Sequence, residues 1–145
     1  MKPNITWRIL EDDTDYVMYN NYTVDGSYTE GDTILKKLQV YNNISGETNI
    51  DDAKNAEIVF AFKNYEDNFL LNLISIRRSG TDKFVKLDLE ANEDEEVPTM
   101  GVYEIGTLNG VPGLGSHVEL DLKIGPLPAN LKTSLKSVII YLRYE

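Results

Sequence analysis

Apolar and polar positions alternate with a period of two along most of this chain, the spacing that puts successive side chains on opposite faces of an extended strand. The most regular run is Val118 to Ile124, where Val118, Leu120, Leu122 and Ile124 face one way and Glu119, Asp121 and Lys123 the other. The same reading predicts a strand over Asn4 to Leu10, with Ile5, Trp7 and Ile9 against Thr6 and Arg8, closed by an acidic turn from Glu11 to Asp15. Ile34, Leu38 and Val40 alternate with Lys37, Gln39 and Tyr41, and Ile58, Phe60 and Phe62 repeat the pattern after a polar connection. Met100 to Leu108 sets Tyr103, Ile105 and Thr107 against Val102 and Glu104. In Phe84 to Glu90, Val85, Leu87 and Leu89 oppose Lys86, Asp88 and Glu90, and Ser79-Gly80-Thr81-Asp82 supplies a hairpin turn before it.

Three stretches are less regular. Tyr16 to Val24 is interrupted by Asn20-Asn21 and reads as a broken or bulged strand ending in the turn Asp25-Gly26-Ser27. Phe69 to Arg77 reads as a strand with a slip between Leu73 and Ile74, and Lys63 to Asn68 before it as a loop. Leu135 to Tyr144 packs Val138, Ile139, Ile140 and Leu142 nearly continuously, the pattern of a strand buried on both faces or spanning the centre of a sheet. Pro126 and Pro128 end the strand before it, because proline cannot donate to a ladder. At most one helical turn is expected after Pro128. The total is eight to ten strands, and many short strands in one domain predict an all-β fold: an antiparallel β-sandwich with jelly-roll or Greek-key connections.

The stretch from Ile34 to Phe62 organises this arrangement. Ile58, Phe60 and Phe62 are expected in the core. Asn42, Asn43, Asp51 and Asn55 are expected to fix the intervening loop through side-chain hydrogen bonds to backbone, each loop asparagine being worth about 1 kcal/mol.

Composition narrows the class further. A length of 145 residues matches a single domain spanning 1–145. No apolar run approaches the ~18 residues of a membrane span, and the absence of cysteine removes disulfides and thiolate metal sites. The opening Met1-Lys2-Pro3-Asn4 lacks the apolar core of an export signal, so assembly inside a cell is expected, and the sequons at Asn4, Asn21 and Asn43 are read as chance. A net charge of −10 repels phosphate backbones and anionic lipid, so neither nucleic acid nor a membrane is expected as partner.

No catalytic or cofactor motif stands out. The Gly-rich segment Asn109 to Ser116 lacks the Gly-Lys-Ser/Thr ending of a phosphate loop and precedes a strand, so it reads as a connection. His117 is the only histidine and is read as structural. The acidic clusters Glu11 to Asp15, Asp51-Asp52 and Glu93 to Glu96 lack the spacing of a calcium loop and read as solvated turns. Catalytic, cofactor and metal residues are therefore expected to be none. Tyr16, Tyr19, Tyr22, Tyr28 and Tyr103 are the candidate functional side chains, either as a subunit interface or as a stacking surface for a glycan.

The run Leu38-Gln39-Val40-Tyr41-Asn42-Asn43, a Gly-containing turn and Asp51-Asp52-Ala53-Lys54-Asn55-Ala56-Glu57-Ile58-Val59-Phe60 resembles a pattern in small β-sandwich structural proteins of tailed-bacteriophage virions. In those a core strand ends in Val-x-Asn-Asn and a loop with Asp-Ala-x-Asn precedes the next strand. The likeness extends loosely to Ile5-Thr6-Trp7-Arg8-Ile9 and Ile140-Tyr141-Leu142-Arg143-Tyr144. It implies a non-enzymatic tail, collar, baseplate or head accessory subunit, assembled in the host cytoplasm, forming a homo-oligomer and contacting other virion proteins. The alternative expectation is a carbohydrate-binding or host-receptor-binding module recognising a host surface glycan.

Overall fold

Alternation in sequence becomes two antiparallel sheets packed face to face. The computed structural model describes residues 2–11, 15–17, 21–24, 33–81, 83–91, 97–126 and 136–145. The strands are β1 (Ile5–Glu11), β2 (Asp15–Val17), β3 (Asn21–Val24), β4 (Ile34–Asn42), β5 (Ala53–Phe62), β6 (Ile74–Arg78), β7 (Val85–Lys86), β8 (Asp88–Glu90), β9 (Met100–Leu108), β10 (His117–Ile124) and β11 (Lys136–Arg143). The first sheet has the order β2-β1-β4-β10-β6-β7 and the second the order β3-β11-β5-β9-β8. Chain neighbours β4 and β5, β5 and β6, β9 and β10, and β10 and β11 lie in opposite sheets, so the chain crosses the sandwich repeatedly. That is the jelly-roll and Greek-key manner of connection, and the β-sandwich expected from the pattern is the fold.

One cluster fills the space between the sheets. Leu38 and Val40 of β4, Val118, Leu120, Leu122 and Ile124 of β10, and Ile74 and Ile76 of β6 meet Ile58, Phe60 and Phe62 of β5 and Val138 and Ile140 of β11. Trp7 and Ile5 of β1 pack against this cluster from its margin. Phe60 lies opposite Ile140 on one side and Gly101 on the other. Leu87 closes over that glycine, where an added Cβ would come within 2.8 Å of the Leu87 Cδ1.

Three expectations are corrected. Residues 65–73 are a nine-residue 3-10 helix, Tyr65–Leu73, and the strand starts only at Ile74. The slip at Leu73 and Ile74 is thus a change from helical to strand period, with Leu70 and Leu71 buried against the core as a plug. Phe84 to Glu90 is two short strands instead of one: β7 pairs with β6 in the first sheet and β8 with β9 in the second, so this segment crosses the sandwich at Leu87. Tyr16 to Val24 divides likewise, β2 going to the first sheet and β3 to the second. With these divisions the described residues carry eleven strand segments, four of them only two to four residues long. Of the two alternatives for the last stretch, β11 takes the second: it lies inside its sheet between β3 and β5 and is buried on one face alone, with Ile139 and Tyr141 exposed while Val138 and Ile140 are covered. The turn expected after Pro128 and the acidic run Glu93 to Glu96 lie outside the described residues.

Candidate functional site

Two adjacent asparagines at the end of β4 tie together one end of the sandwich. Asn42 is fully buried. Its amide nitrogen donates to the carbonyls of Asp51, at 2.9 Å, and of Leu108, at 3.0 Å, and its carbonyl oxygen accepts the backbone N–H of Asn4 at 2.9 Å. Leu108 ends β9 in the opposite sheet, so this one side chain links the sheets, the chain start and the far end of the β4–β5 loop. Every hydrogen-bonding capacity of the amide that matters in a dry site is used.

Asn43 makes the second tie. Its backbone sits at φ +60°, a left-handed conformation that asparagine tolerates better than most residues. The amide nitrogen donates to the carbonyls of Glu47 and Gly110, both at 2.7 Å, and its oxygen accepts the Glu47 N–H at 2.8 Å. The Glu47 contacts fold residues 43–47 into a turn, and the Gly110 contact fastens that turn to the loop after β9. A side chain that is buried and bonded in this way is not a glycan acceptor, in keeping with the reading of its sequon as chance. Gly110 also donates its N–H to Asp52 at 2.8 Å, and a Cβ there would lie 1.9 Å from the Ile50 carbonyl oxygen. Only glycine allows the two loops to close to this distance.

The Gly-rich segment is therefore a connection, as expected, and the two loops form one braced tip. Ile44 and Val111 project from it, 42% and 75% exposed. Of the loop residues expected to brace it, Asn42 and Asn43 do so with their side chains and Asp51 through its backbone carbonyl. Asn55 instead donates from its side chain to the Glu145 carboxylate at 2.8 Å. Asp52 braces the tip and was missed by the sequence reading, because its partner Gly110 is 58 residues away. A shallow depression beside it is lined by Ile50, Asp51, Asp52, Lys54 and Glu145, and the described residues contain no acidic or histidine cluster fit to hold a metal ion.

The candidate tyrosines that the structure describes lie on different elements. Tyr16 lies on β2 of the first sheet and Tyr22 on β3 of the second, while Tyr19 and Tyr28 lie outside the described residues. Tyr103 packs half-buried against the core. Other aromatic rings are already in use. Tyr41 stacks on His117 with centroids 4.9 Å apart at 15°, the structural role expected for the histidine. Phe84 carries the Arg77 guanidinium 4.3 Å and the Lys123 ammonium 4.7 Å from its centroid. On the outer face of the second sheet Arg143 bonds Glu57 at 3.2 Å and Glu90 at 3.4 Å, and these hydrogen bonds raise its pKa above the ordinary arginine value.

No known protein family matches the chain, and no curated protein resembles it in sequence. Among solved structures it is similar to a secreted serine protease, VesC, from Vibrio cholerae, at 10% identity and a TM-score of 0.40. That similarity covers 89% of this chain and 22% of the protease, so the chain spans about a fifth of that protein's length. It is also similar to a carbohydrate-binding module of a family 31 glycoside hydrolase from Clostridium perfringens, at 11% identity, 85% and 75% coverage and a TM-score of 0.33. A third similarity is to AggA, the major subunit of aggregative adherence fimbriae type I from Escherichia coli, at 9% identity, 85% coverage of both chains and a TM-score of 0.26. Similarities this distant set no limit on what the chain does.

Proposed function

We propose that this chain is a non-enzymatic structural subunit of a tailed-phage virion, acting through contacts with other virion proteins. The observation that carries the reading is the braced tip: two loops locked by Asn42, Asn43, Asp52 and Gly110 hold Ile44 and Val111 out in solvent. A rigid loop pays little conformational entropy on docking, so apolar residues fixed in this way suit a contact surface. The same asparagines form the Val-x-Asn-Asn run that gives the resemblance to virion proteins, which ties that resemblance to a physical role. The chain then works in the virion, after assembly in the host cytoplasm.

Replacing both Ile44 and Val111 with Asp tests this. Cosedimentation with phage particles or purified tail, collar and baseplate proteins should show wild-type binding and at least about a tenfold loss for the variant, the scale of removing central apolar anchors. Its thermal midpoint should stay unchanged. Wild-type protein that binds no virion component, or a variant that binds as well as wild type, overturns the reading.

A further inference from the structure

The two sheets turn faces of opposite charge to solvent. On the first sheet the side chains pointing away from the core include Arg8, Lys37, Arg77, Lys86 and Lys123, against the carboxylates of Glu119 and Asp121. Asp121 is already paired with Arg77 at 2.9 Å, and Glu119 accepts from Gln39 at 2.8 Å. On the second sheet the outward side chains include Glu57, Asp88, Glu90 and Glu104, against Arg143, which is paired with Glu57 and Glu90, and the exposed Lys54 at the start of β5. Both faces also expose apolar groups: Leu35 on the first, 65% exposed, and Ile139 and Tyr141 on the second, 39% and 41% exposed. On a chain of net charge −10, a basic face is a concentrated exception.

We propose that these faces are the two halves of one interface, the basic outer face of one copy docking on the acidic outer face of the next. The inference rests on the assembly reading above and names the partner as a second copy of this chain. Two copies brought together by like faces would repel, whereas a head-to-tail contact sets opposite charges and apolar residues against each other. Such a contact joins two different patches, so it propagates into a ring or a filament instead of stopping at a dimer.

The test is sedimentation velocity over a concentration series at about 50 mM and about 500 mM salt, since exposed charges are screened beyond ~10 Å at 0.1 M. Wild type should associate at low salt and dissociate at high salt. K37E/K86E, with both faces acidic, and D88K/E104K, with both faces basic, should each self-associate at least about tenfold more weakly with unchanged thermal midpoints. Mixed in equal amounts they should regain association, because each then meets a complementary face. Variants that associate like wild type, or a mixture that stays monomeric, overturn the proposal. Wild type that is monomeric throughout also overturns it while leaving the virion reading intact, because that reading is scored separately by particle binding through Ile44 and Val111.

Discussion

Asn42→Ala is expected to lower stability by about 3–4 kcal/mol, because it strands three backbone groups at about 1–3 kcal/mol each, discounted where water reaches the chain start. The groups are the N–H of Asn4 and the carbonyls of Asp51 and Leu108. The sequence suggests only about 1 kcal/mol for a loop asparagine, a value for an exposed side chain with one net bond. Burial and three partners on separate segments raise it. Urea unfolding should show a lower midpoint at an unchanged slope, as expected when the native state alone is weakened. Hydrogen exchange should also quicken at Asn4 and across the 43–52 loop before the core strands open. A loss of less than about 1 kcal/mol would mean that water replaces the amide and that the tip holds itself together without it.

Phe60→Ala should cost about 3–5 kcal/mol, the range for removing a buried phenylalanine and leaving part of its volume empty. Phe60 is fully buried in the middle of the second sheet, with Ile140 and Gly101 as cross-strand neighbours. Collapse into the vacated space is opposed on both sides. Leu87 already fills the room above Gly101, and the β5–β9 and β5–β11 ladders fix the backbone around the site. Against a total of about 5–15 kcal/mol for a small domain, such a loss leaves the protein marginal. Circular dichroism and thermal unfolding should show an unfolded or barely folded chain, whereas a midpoint within a few degrees of wild type would place Phe60 outside the packed core.

The sequence by itself determined the fold class, the long core strands and which of their residues face inward. Period-two alternation is a local property, and burial of one face of each sheet enforces it, so β1, β4, β5 and β10 were legible from spacing alone, whereas in β9 the register shifts at Gly106 and buries Leu108 in place of Thr107. The asparagine run at the end of β4 was legible as bracing, because asparagine competes for backbone groups wherever it meets them. Tertiary structure alone decided the partners. Asn42 reaches Leu108 and Asp52 reaches Gly110 across more than fifty residues of chain, and no local pattern encodes that distance. It also decided how short polar segments divide. β2 and β3, and β7 and β8, go to opposite sheets because the chain must cross the sandwich to cover both edges, while in sequence 84–90 reads as one strand and 16–24 as a broken or bulged one. The helix Tyr65–Leu73 escaped a period-two reading for a related reason: its leucines plug the core's end, and packing there overrides what spacing suggests. The opposite charges of the two outer faces emerge only when sheet membership is known, since basic and acidic residues are interleaved along the chain.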